Sequence, residues 1–104
     1  MTLLKVSTLD ELPVRSKIET PSVDVLVVRY GDEIYAIEDR CSHGDIPLSE
    51  GELDGCLVEC WLHGSSFDVR TGAPTCLPAT TPVRTFPVVV TDEEGTPTVF
   101  LEIG

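Results

Sequence analysis

The sequence predicts an all-β fold, an antiparallel sandwich or barrel with an inserted loop subdomain, and three observations carry that reading. Short runs rich in Val, Ile, Tyr and Phe recur along the chain, separated by turn residues. Eight prolines and eight glycines punctuate it, with no repeat, low-complexity tract or long linker. The only helix signal is "STLDEL", where Thr8 and Glu11 could form a capping box, and Pro13 limits it to about one turn. Next comes the strongest hairpin, "VDVLVVRYGDEIYAIED", in which two β-prone strands flank a Gly31-Asp32 turn. Residues 40 to 76 hold Gly44, Gly51, Gly55, Gly64 and Gly72 and few long strands, so something other than an apolar core shapes their loops. Within them "CLVECW" and "FDVR" read as strands, with Cys56 inside the first. "FPVVVTD", "EEGT" and "PTVFLEI" close the chain as a last hairpin.

A chain of 104 residues is expected to form a single domain, 1–104, with room for one site and no separate catalytic domain. Acids outnumber bases 18 to 7, a formal charge of −11, which argues against nucleic acid and anionic membrane surfaces as partners. No apolar stretch approaches the roughly 20 residues that span a bilayer, and the opening residues do not read as a signal peptide. The expected location is the cytoplasm. In that reducing compartment the four cysteines point to metal binding ahead of disulfides.

Both histidines of the chain lie beside cysteines: Cys41 with His43, and Cys60 with His63. One residue separates the first pair, sixteen lie between the pairs, and two separate the second, giving C-x-H-x16-C-x2-H. Ligands one or two residues apart on a tight turn can converge on a metal, and the glycine after each histidine, Gly44 and Gly64, permits a positive φ. Two candidates fit two thiolates and two imidazoles. One is structural zinc; the other is a two-iron, two-sulfide cluster in which two histidines replace two cysteines on one iron. Zinc fingers pair cysteine with cysteine and histidine with histidine, whereas each loop here supplies one of each. That order favours the cluster, because each iron can take like ligands from both loops.

At these residues the sequence resembles the Rieske family. "CSHGDIPLSEG" and "CWLHGSSFDVRTGAP" look like its two cluster loops, and "LPATTPVRTFPV" looks like the proline loop and strand that cover the cluster. The resemblance implies one [2Fe–2S] cluster in a subdomain of about residues 40–76. Cys41 and Cys60 would then hold the inner iron, and His43 and His63 the outer iron near the surface. The likeness is to soluble Rieske ferredoxins that feed aromatic-ring dioxygenases, with those beside iron–sulfur assembly genes and the small subunit of nitrite reductase as related alternatives. It also implies a flavin-dependent reductase as donor and a terminal oxygenase as acceptor. The respiratory branch of the family adds a disulfide between the cluster loops and a serine and tyrosine that donate hydrogen bonds. Here Ile46 and Leu62 occupy the disulfide positions, and Ser65 is followed by Phe67, leaving one donor of the two.

Enzyme readings fail on inventory. A Ser-His-Asp or Cys-His hydrolase needs a histidine as base, and both are spent. No glycine-rich phosphate loop and no second histidine-and-carboxylate set occur, so the chain is expected to carry electrons and not to be the oxygenase. A structural or regulatory metal-binding module is the alternative of another class. Cys56 and Cys76 are expected to be packing or surface thiols, and Trp61 a packing shield over the second loop. Glu38, Asp39, Asp45, Glu50, Glu52, Asp54 and Glu59 face only Arg40 among the bases of residues 38–59, a field that would steer basic partners and disfavour an added electron.

Overall fold

The computed structural model describes residues 2–21, 23–31, 33–41, 46–61, 64–75 and 81–103. In chain order the strands are β1 (Thr2–Thr8), β2 (Arg15–Glu19), β3 (Asp24–Tyr30), β4 (Glu33–Glu38), β5 (Leu53–Asp54), β6 (Leu57–Glu59), β7 (Ser66–Asp68), β8 (Thr85–Phe86), β9 (Val88–Glu93) and β10 (Thr96–Ile103). They form three antiparallel sheets, ordered β1-β10-β9, β2-β3-β4-β8 and β5-β6-β7. The all-β expectation holds.

The second sheet is the middle layer, and the period-2 geometry of its strands divides the core in two. From β3, Val25 and Val27 point to one side, where with Ala36 and Phe86 they pack on Val99 and Leu101 of β10. Leu26 and Val28 point to the other, where with Ile37 they pack on Val58 and Phe67 of the third sheet. This accounts for four successive fully buried residues in "DVLVVRY": a strand covered on both faces reads as a continuous apolar run. The Val25–Glu38 through Tyr30–Glu33 register confirms the long hairpin.

Two sequence expectations need correction. "STLDEL" forms a turn and not a helix, because Thr8 is claimed by the β1 ladder with Thr98. The capping box becomes a direct bond from the Thr8 hydroxyl to Glu11 Oε1 at 2.8 Å, beside a Glu11 N–H to Thr8 C=O bond at 3.3 Å. Cys56 lies in the two-residue turn between β5 and β6, where Asp54 pairs with Leu57, and not within a strand.

Candidate metal centre

β4 of the middle sheet leads to Cys41 and β6 of the third sheet to Cys60, and both cysteines join one buried cluster. β4 ends at Glu38, and three residues later the Cys41 N–H donates to the Ile46 carbonyl at 2.9 Å. The chain then enters a 3-10 turn, Leu48–Glu50, whose Leu48 is fully buried. The second loop repeats the device. Directly after β6, the Cys60 N–H donates to the Ser65 carbonyl at 2.6 Å, and the Gly64 N–H returns to the Cys60 carbonyl at 2.9 Å. In both loops a cysteine amide is bonded to the carbonyl five residues on. Gly64 has φ +75°, as the close return requires, whereas Gly44 lies outside the described residues.

Both cysteines are fully buried as thiols in one apolar cluster with Leu26, Ile37, Leu48 and Phe67. The expected ligands His43 and His63 lie outside the described residues, as do Leu62, Cys76 and residues 77–80 of the proline loop. Two buried thiols at the mouths of two loops fit a thiolate-ligated metal group, because a desolvated thiolate needs a cationic partner. The pattern also fits the donor set, in which each loop adds an imidazole two or three positions past its cysteine.

Around the loops the packing is tight. A Cβ on Gly51 would lie 1.6 Å from the Glu59 carbonyl oxygen, so only glycine lets the first loop return beside β6. The Gly51 carbonyl also accepts a bond from the Arg15 guanidinium of β2. Ser65 and Phe67 are fully buried, and Ile46 packs against the same cluster. Trp61 departs from expectation. It is 54% exposed, so about half of its surface meets solvent, and its neighbours Leu62 and His63 in the loop lie outside the described residues.

Of the seven acidic residues expected around the loops, Asp45 lies outside the described residues, and four of the others separate into two groups. Glu52, Asp54 and Glu59 are exposed on the outer face of the third sheet, opposite the inward-facing Leu53 and Val58. Asp39, in contrast, has a fully buried side chain, and its partners come from elsewhere. Its Oδ1 accepts the Ser49 N–H at 2.6 Å, its Oδ2 accepts the Ser49 hydroxyl at 2.7 Å, and Lys17 Nζ of β2 lies 3.7 Å from Oδ2. The sequence reading missed Lys17 and Arg15. The only trace of them was the alternation of charged residues along an edge strand 20 or more positions upstream.

Residues 2–87 match the model of the Rieske [2Fe-2S] domain. The chain belongs to the Rieske [2Fe-2S] domain family. Members of this family carry one [2Fe–2S] cluster. The Rieske chain is 49% identical over 96 residues to the 3-phenylpropionate/cinnamic acid dioxygenase ferredoxin subunit of Photorhabdus laumondii, covering 88% of this chain and 90% of that one. It is similar to the ferredoxin of carbazole 1,9a-dioxygenase from Nocardioides aromaticivorans IC177, with 41% identity and a TM-score of 0.81 over 95% and 97% of the two chains. It also matches a chain in the complex of reduced oxygenase and oxidized ferredoxin in carbazole 1,9a-dioxygenase, with 37% identity and a TM-score of 0.83 over 95% and 91%. These relatives are electron-transfer components and not catalytic enzymes, and the Rieske chain is of that kind. Among the described residues no helix is long and apolar enough to cross a membrane.

Proposed function

We propose that this Rieske chain is the ferredoxin subunit of an aromatic-ring dioxygenase system, working in the cytoplasm. It would take electrons from a flavin-dependent reductase and deliver them to a terminal oxygenase. Cys41, His43, Cys60 and His63 are proposed as the ligands, within a cluster subdomain of about residues 40–76 in a single domain. The observation that carries the assignment is the pair of fully buried cysteines, each opening a loop closed by its own amide five residues on. When bound, a [2Fe–2S] cluster supplies one-electron redox chemistry.

The chain's own residues do the rest. Cys41 and Cys60 offer thiolates in a pocket that excludes water, while Leu48 and Phe67 fill its floor. Glu52, Asp54 and Glu59 present a negative face on the same subdomain, which favours encounter with a basic partner surface. The names of the relatives support the dioxygenase assignment among the Rieske carriers.

Iron and acid-labile sulfide analysis of anaerobically purified protein tests the assignment. Two of each per chain are expected, with Cys41→Ser and Cys60→Ser losing them and Cys56→Ala retaining them. Colourless protein with one zinc and no sulfide, or iron loss in Cys56→Ala, would overturn it. Reduction of the protein by a nicotinamide-linked flavin reductase, followed by reoxidation on adding a dioxygenase terminal component, tests the carrier role.

A further inference from the structure

Asp39 is an unusual residue for its position. Carboxylates are seldom fully buried unless paired, and this one lies two residues before Cys41, within about 7 Å of it along the backbone. Both of its oxygens accept hydrogen bonds from Ser49, Oδ1 from the N–H and Oδ2 from the hydroxyl. Ser49 belongs to the 3-10 turn that carries buried Leu48, so the Asp39–Ser49 bonds close the first loop from outside while Cys41–Ile46 closes it from inside. Lys17 is one-third exposed and stands between Asp39 and Asp24, 3.7 and 4.0 Å from their carboxylates. Glu38, Asp24 and Arg40 line the same surface cavity beside Asp39.

We propose that Asp39 and Lys17 form an opposed charge pair that sets the reduction potential of the group held by the cluster loops, Asp39 lowering it and Lys17 raising it. The inference rests on the ligand assignment above. An electron added beside Cys41 raises the negative charge there. A fixed anion at the base of that loop disfavours the addition, and a cation beside the anion offsets part of the effect. Because the Asp39 side chain is buried, water and salt screen it less than the exposed acids of the third sheet. Asp39 also acts as a positioning residue for Cys41 through Ser49, and the two roles separate by sign: a positional defect has no reason to reverse when the opposite charge is removed.

The experiment is protein-film voltammetry near neutral pH on cluster-loaded Asp39→Asn, Lys17→Gln, the double variant and Ser49→Ala. Asp39→Asn should favour the reduced form by at least threefold in the redox equilibrium constant, about 28 mV for a one-electron couple. Lys17→Gln should disfavour it measurably, and the double variant, which restores the net charge, should return toward wild type. Ser49→Ala removes a donor without changing charge and should shift the potential less than either single variant. Lys5→Gln, on the far sheet beside Glu93, is the control and should leave the potential in place. Shifts of the same sign in Asp39→Asn and Lys17→Gln, or no shift in both, overturn the proposal. If Asp39→Asn fails to load, Lys17→Gln decides alone, and a potential equal to or above wild type overturns it. Failure of the ligand assignment would appear separately, as retained iron in Cys41→Ser.

Discussion

At the scale of single residues, Asp68 shows how one side chain shapes the second loop's return. Its Oδ1 accepts from the Arg70 N–H at 2.9 Å and Nε at 3.0 Å, and its Oδ2 from Nη2 at 2.8 Å. Its own carbonyl takes the Gly72 N–H at 2.7 Å. The Arg70 side chain, aided by the Arg70 amide, holds the Asp68 carboxyl below its ordinary 3.8 against a smaller opposing effect of burial. A carboxyl with a depressed folded-state pKa stabilises the fold above its unfolded pKa and loses that contribution as pH falls through the folded value. Asp68→Asn is therefore expected to be less stable than wild type by up to about 1 kcal/mol near neutral pH, the difference shrinking below about pH 4. Urea titrations at pH 7, 5 and 3 measure it, and a gap that widens toward pH 3 would contradict this account. The same scale shows what sequence could and could not reveal. Cys41 and Cys60 were legible because ligand spacing is a local property of the chain. Lys17 was not, because its nearness to Asp39 depends on β2 pairing with β3, which a count of charges over residues 38–59 cannot register.

At the scale of elements, the hairpins follow their turn residues. β9 and β10 meet with Glu93 opposite Thr96, and the two residues between them, Glu94 and Gly95, have φ of +53° and +85°. Two positive φ values in a two-residue loop are the type I′ pattern, whose twist matches the strands and whose preferred sequence is Asn-Gly. Glycine takes that conformation without penalty. Glutamate at a left-handed position is disfavoured by roughly 1–2 kcal/mol, which asparagine partly relieves. Glu94→Asn should then stabilise the protein by about 0.5–1 kcal/mol, seen as a higher urea midpoint with an unchanged slope. A lower midpoint would show that the Glu94 side chain makes a compensating contact. The "EEGT" segment was legible as this turn, and "VDVLVVRYGDEIYAIED" as its larger counterpart, because both combine strong β propensity with turn chemistry at fixed positions. "STLDEL" misled because Thr8 has two uses, helix cap or strand end, and ladder pairing with Thr98 decided between them. Trp61 was harder to place from sequence: its apolar surface suggests burial, yet it is 54% exposed.

At the scale of the molecule, layering and charge bear on one quantity, the potential at which the carrier works. The middle sheet divides an apolar core so that one half packs the terminal strands and the other half floors the cluster loops. Cys41 and Cys60 thus sit on a buried apolar base, with the chain's −11 charge spread mostly over the outside. Rieske centres span roughly −150 to +300 mV, controlled by hydrogen bonds to sulfur, exposure and nearby charge. Here Phe67 is a buried ring with no hydroxyl to donate, and Ile46 packs on the core where the respiratory branch has a disulfide cysteine. Glu52, Asp54 and Glu59 add negative field from the outer face, and Asp39 adds it from within; Ser65 and Lys17 oppose them. The balance is downward, so the midpoint is expected between about −150 and 0 mV near neutral pH. A carrier in that range accepts electrons readily from a nicotinamide-linked flavin reductase and is poorly matched to oxidising quinol. Protein-film voltammetry measures it directly, and a midpoint near the top of the family range would mean that donors to sulfur outweigh the whole negative field of the chain.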